Sequence, residues 1–164
     1  AFASTVSDPA LAWRLSYAGA GPLADWLSGG IGPRMLGPGS RAAMPALMRS
    51  ADVVVLPRLP APGWMEQFGV AVIEAMAVGT PVVTTDCGAF REIVPRAERG
   101  FWPSFWPLVP AGRWDLLRDT VNHLLTDVSL WHHYSIAVQE RAVRIYGHEV
   151  VGAKLREAYG RFLV

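Results

Sequence analysis

The sequence predicts an α/β fold with a mostly parallel sheet, and three observations carry that prediction. Val53-Val54-Val55-Leu56 and Val82-Val83-Thr84-Thr85 are short apolar or β-branched runs bounded by turn residues, as strands buried on both faces of a parallel sheet are. Between them lies Val70 to Ala77, an apolar stretch of helical length that is closed by Gly79-Thr80-Pro81. Strand, helix and strand in alternation place the two strands side by side and parallel.

The remaining elements follow in order. Ala1 to Leu11 is weakly helical and interrupted by Ser7-Asp8-Pro9, and Trp13 to Ala18 reads as a short strand. Gly19-Ala20-Gly21-Pro22-Leu23-Ala24 then nominally fits the relaxed dinucleotide fingerprint G-x-G-x-x-A. That fingerprint asks for an acid about twenty residues on. No Asp or Glu stands between Asp25 and Asp52, which favours a plain strand-to-helix turn. Ser28 to Gly32 is a turn, and Arg34 to Leu36 is a short strand closed by Gly37-Pro38-Gly39-Ser40. Ala42 to Arg49 carries Met44, Leu47 and Met48 at helical spacing. Pro57, Pro60 and Pro62, with Gly63, make 57–65 a loop. In that loop Arg58 is either solvated, the preferred reading, or a cation beside a ligand, and Trp64 either stacks on a ligand or simply packs.

Beyond the second strand, Asp86-Cys87-Gly88-Ala89 forms a loop in which Gly88 supplies backbone freedom, and Ala89 to Val94 opens a helix. Cys87 as a nucleophile needs an activating base, and no neighbouring His offers one. Phe101-Trp102-Pro103 and Phe105-Trp106-Pro107 nearly repeat each other; they are either an exposed aromatic wedge for a membrane or partner or an edge that packs internally. Leu108-Val109-Pro110 reads as a last strand, Trp114 to Thr126 as a helix, and Asp127 to about Tyr146 as another that Gly147 breaks. Val150 to Phe162 closes the chain as an amphipathic helix.

The chemistry concentrates between Glu66 and Asp86. A helix beginning near Phe68-Gly69 turns its free N–H groups toward the carboxyl end of the preceding strand, where a phosphate is the natural guest. Gly69, lacking Cβ, lets the backbone approach closely. Glu74 lies about a turn deeper on an otherwise apolar helix. An unpartnered buried carboxylate is costly, so Glu74 faces either solvent or a ligand with hydroxyls, as acids facing a ribose do in other nucleotide sites.

Glu66-Gln67-Phe68-Gly69, Glu74-Ala75-Met76-Ala77, Gly79-Thr80-Pro81-Val82-Val83, Asp86-Cys87-Gly88 and Arg91-Glu92-Ile93-Val94 together resemble the donor-site signature of the family 4 retaining glycosyltransferases, which have the GT-B fold. The resemblance implies a Rossmann-like second domain in which Glu66 and Glu74 are the two acids of a Glu-x7-Glu motif. Glu66, the candidate catalytic residue, would contact hydroxyls of the transferred sugar, and Glu74 the ribose. Backbone amides around Phe68, Gly69 and Val70 would hold the diphosphate. Gly37 and Pro38, in a loop that borders the base in the family, are further candidate donor contacts. Ala20 departs from the family's usual Gly-Asp-Gly-Pro. The implied reaction is transfer of a sugar from a nucleotide-sugar donor to an acceptor hydroxyl with retention, with no cofactor and no metal. The alternatives are a non-catalytic nucleotide-binding GT-B module and a GT-B nucleotide-sugar epimerase.

By the same resemblance, residues 1–164 are a single partial nucleotide-sugar-binding domain lacking its first strand and the N-terminal acceptor domain, and are expected to be inactive alone. Peripheral membrane contact would run through the missing domain. Composition narrows the rest. A net charge of +1, from 15 basic and 14 acidic residues, gives no footprint for nucleic acid. All basic residues but Lys154 are Arg, from which no function follows. No apolar run reaches the about 18 residues of a membrane span. Cys87 is the only cysteine, which fits a reducing compartment, so the expected location is the cytoplasm, at most associated with the cytoplasmic face of a membrane. His132 and His133 are adjacent and point about 100° apart on a helix, so they cannot share a metal.

Overall fold

The computed structural model describes residues 14–21, 25, 34–63, 65–94 and 107–161. The readings made for Ala1 to Leu11, for Ser28 to Gly32, for Trp64 and for the Phe-Trp-Pro repeat up to Trp106 lie outside these residues. The chain forms two compact units, residues 1–47 and 48–164.

The first unit holds β1 (Ser16–Ala18) and β2 (Arg34–Gly37), which pair in parallel with Ser16 opposite Arg34 and a register shift between Tyr17 and Ala18. The shift lets the Gly19 N–H donate to the Gly37 carbonyl at 2.9 Å, and Gly37 ends the strand with a positive φ of 67°. Helix α1 (Met44–Arg49) starts later than the expected Ala42, after a turn over residues 41–43 in which the Ala43 N–H donates to the Ser40 hydroxyl. Pro45 sits in the first helical turn, where its missing N–H is not needed.

Among its described residues the second unit holds a three-stranded parallel sheet in the order β3 (Val54–Leu56), β4 (Val82–Thr85), β5 (Leu108–Val109). All four residues of β4 are buried, as a central strand requires. β3 is different: with β4 on one side only among the described residues, its three residues are half-buried, so the expectation of burial on both faces fails there. Helix α2 (Val70–Ala77) joins β3 to β4. Its C-terminal end is a Schellman turn, with Gly79 at φ 80°, the Gly79 N–H donating to the Met76 carbonyl and the Thr80 N–H to the Ala75 carbonyl. The Thr80 hydroxyl then donates to the carbonyl of Met48, the first residue of the second unit, at 2.9 Å.

After β4 come the short α3 (Phe90–Ile93), then, following β5, α4 (Trp114–Thr126), α5 (Val128–Tyr146) and α6 (His148–Gly160). Asp127 separates α4 from α5 by accepting a hydrogen bond from the Leu130 N–H at 2.9 Å, an N-cap. α5 binds the rest of the unit through its side chains. Trp131 donates to the Asp52 carbonyl, Tyr134 to that of Val82, Ser135 to that of Gly79, and Arg141 to that of Ile93. Tyr134 is fully buried, and desolvation pushes its phenol well above the ordinary tyrosine range. α6 spans His148–Gly160, not Val150 to Phe162, and buries none of its residues; Val151, Leu155 and Tyr159 form an exposed stripe.

Candidate functional site

Because the three strands run parallel, their carboxyl ends share one edge of the sheet, the edge at which α/β folds bind ligands. Arg58 stands just beyond β3, Asp86 just beyond β4, and the first turn of α2 faces the same edge. The N–H of Gly69 donates to Oε1 of Glu66 at 3.0 Å, while Val72 and Ile73 N–H groups both reach the Gly69 carbonyl. The N–H groups of Val70 and Ala71 have no acceptor among the described residues. Two donors of the helix terminus are therefore open beside a carboxylate.

Two glycines permit this arrangement. Gly69, the N-cap residue of α2, has φ 61° and is buried, and a Cβ there would lie 2.6 Å from Cε1 of the buried Phe90 ring. Gly88 has φ 55°, and a Cβ there would lie 2.2 Å from the Glu66 carbonyl oxygen. That same oxygen accepts from the Ala89 N–H at 3.0 Å. The loop after β4 thus cradles the backbone of Glu66, and α3 closes beneath Gly69.

The side chain of Glu66 is 16% exposed and has a second partner: its Oε2 lies 3.4 Å from Nε of Arg58. Arg58 is itself held at its backbone. Its N–H donates to the Thr85 hydroxyl at 2.7 Å, and that hydroxyl donates to the Arg58 carbonyl at 2.6 Å. The guanidinium of Arg58 is about half exposed, as the preferred solvated reading has it, and it also stands within ion-pair distance of Glu66. Beside them Arg91 pairs with Asp86. A cavity of about 80 Å³ opens among Leu56, Arg58, Glu66, residues 69–72 and Phe90.

Of the residues singled out in the sequence, Glu66, Gly69 and Val70 meet around this cavity. Phe68 stands next to them with an exposed ring, edge-on to Tyr146 at 6.1 Å between centroids. Glu74 is exposed on α2, four residues beyond Val70 and so on the same face of the helix, but it does not line the cavity. Gly37 and Pro38 belong to the first unit, at the end of β2. Sequence reasoning missed the Thr85 hydroxyl, which reads only as a β-branched strand residue, and the reason for Gly88, which is room for the Glu66 carbonyl. Cys87 is buried. Among the described residues no three His, Cys, Asp or Glu are grouped to hold a metal, and no helix is long and apolar enough to cross a membrane.

Comparisons with known proteins bear on the family and the fold. The family described as glycosyl transferases group 1 matches residues 1–127. A phosphatidyl-myo-inositol mannosyltransferase of Mycobacterium leprae (strain TN) is 39% identical over 126 residues, covering 77% of this chain and 31% of the relative. The chain thus spans about a third of that relative's length. Among solved structures, AviGT4, a glycosyltransferase involved in avilamycin A biosynthesis, superposes with a TM-score of 0.72 at 26% identity, over 99% of this chain and 48% of its own. TarM of S. aureus, solved with fondaparinux, alpha-GlcNAc-glycerol and UDP, matches with a TM-score of 0.69 at 17% identity, over 94% and 31%, and so shares the fold. A parallel α/β unit of GT-B type, with the Glu66 to Asp86 signature at the carboxyl edge of its sheet, belongs to the group 1 glycosyltransferases, the family 4 enzymes.

Proposed function

We propose that the protein transfers a hexosyl group from a nucleotide-sugar donor to an acceptor hydroxyl with retention of configuration, and that residues 1–164 supply the donor-binding part of its cleft. The observation that carries this reading is the open N-terminus of α2 beside Glu66, at the carboxyl edge of the parallel sheet. In it the Val70 and Ala71 N–H groups receive the diphosphate, and their preset dipoles stabilise the charge that builds on the leaving group as the glycosidic bond breaks. Glu66, near the same point and mostly shielded from solvent, accepts from hydroxyls of the sugar. Glu74, on the same helical face as Val70, accepts from the ribose. The name of the mycobacterial relative favours mannose among hexoses and an inositol phospholipid as the acceptor to try first.

Calorimetric titration with ADP, GDP and UDP and with their hexose conjugates tests the assignment. Glu74→Ala removes a charge-assisted hydrogen bond worth about 1.5–3 kcal/mol, so nucleoside diphosphate affinity should fall by roughly one to two orders of magnitude. Glu66→Gln keeps the shape and loses the charge, and should impair turnover and sugar-nucleotide binding while leaving nucleoside diphosphate binding nearly intact. Unchanged affinity in Glu74→Ala would remove that residue from the donor site. Equal damage to both ligand types in Glu66→Gln would contradict the division of roles.

A further inference from the structure

Arg58 has a place in the site that the donor-binding signature does not give it. Its guanidinium Nε is 3.4 Å from Oε2 of Glu66, whose other oxygen is already held by the Gly69 N–H at 3.0 Å. One carboxylate oxygen is thus hydrogen-bonded and the other lies within ion-pair distance of a guanidinium, and Glu66 lines the cavity together with Leu56, Val70 and Phe90. The Arg58 backbone is in turn clamped at both its N–H and its carbonyl by one hydroxyl, that of Thr85, which is 1% exposed at the end of the central strand. An exposed ion pair between two free side chains contributes little because both must be ordered to make it. Here the backbone of one partner and one oxygen of the other are ordered beforehand.

We propose that Arg58 is a positioning residue, anchored through Thr85, that sets the Glu66 carboxylate for the sugar of the donor. The proposal rests on the donor-site reading above and adds to it that sugar recognition, as distinct from diphosphate binding, depends on the Thr85–Arg58–Glu66 chain. Charge alone would make Arg58 a phosphate ligand, but it stands at ion-pair distance from the Glu66 carboxylate, and in the donor-site reading the amides of α2 take the anion.

The test is calorimetric titration of the protein with ADP, GDP and UDP and with ADP-glucose, GDP-mannose and UDP-glucose. The quantity read is the ratio of sugar-nucleotide affinity to nucleoside diphosphate affinity for the pair that binds. Arg58→Gln, on an exposed side chain whose loss leaves the fold in place, should reduce that ratio about two- to fivefold with diphosphate affinity unchanged. Thr85→Val, which removes the hydroxyl and keeps the shape, should reduce it as well, and Thr85→Ser, which restores the hydroxyl, should not. An unchanged ratio in Arg58→Gln overturns the positioning role. A fall of the same factor for diphosphate and sugar nucleotide makes Arg58 a direct phosphate ligand and overturns it too. A loss in Arg58→Gln that Thr85→Val does not share overturns the anchoring through Thr85. Failure of the unaltered protein to bind any of the six ligands refutes the donor-site reading itself, and the proposal with it.

Discussion

At Gly88 a missing side chain decides where a catalytic candidate sits. The φ of 55° costs an alanine about 1–2 kcal/mol, and its Cβ would meet the Glu66 carbonyl oxygen at 2.2 Å, a backbone atom that cannot swing aside. Gly88→Ala must therefore move the 65–66 loop or the 86–89 loop. We expect a lower melting temperature together with weakened sugar-nucleotide binding; a variant that melts and binds as the unaltered protein does would mean the two loops are not packed as described. Gly88 was legible in the sequence only as a turn residue, because the atom it accommodates is more than twenty positions away. The same separation hid the Thr85 hydroxyl and its hold on Arg58. Glu66 and Gly69, by contrast, lie within one short segment, and their 3.0 Å hydrogen bond closes locally, so the family resemblance, which is carried by that segment, named both.

Among the elements, those whose ends are set by local chemistry were the legible ones. α4 matches its sequence bounds, and α5 ends at Gly147 after an Asp127 cap. α2 closes at Gly79 because only a residue at home with positive φ completes the Schellman turn there. The half-burial of β3 and the exposure of α6 were not legible, since apolar residues state what an element can bury and not whether another element covers it. The cap itself is open to measurement. Asp127→Ala leaves the Leu130 N–H without its acceptor and should cost about 0.5–2 kcal/mol, read as a shift of the denaturation midpoint, whereas Asp127→Asn keeps an accepting oxygen and should cost much less. Equal costs for the two would assign the effect to charge and not to capping.

Across the second unit, stability is distributed unevenly, and the pattern can be predicted from burial. β4 is buried throughout, Val72, Ala75 and Met76 of α2 are fully buried, and α5 is bound to the backbone on either side of them by Tyr134, Ser135 and Arg141. Opening any of these exposes the whole core, so their amides should exchange with solvent only through the largest opening the unit undergoes. α6 has no buried residue and leans on the rest through few side chains, so it can open alone. Hydrogen exchange should therefore find the amides of β4 and α2 slowest and those of α6 fast. Two truncations probe the same contrast energetically. Leu117, which is 0% exposed on α4, should lose about 2–5 kcal/mol as Leu117→Ala. Leu155, 50% exposed on α6, should change stability by no more than about 0.5 kcal/mol as Leu155→Ala. Should α6 exchange as slowly as β4, or Leu155→Ala cost as much as Leu117→Ala, the stripe of Val151, Leu155 and Tyr159 would be covered in solution, and the uneven distribution argued from burial would be wrong.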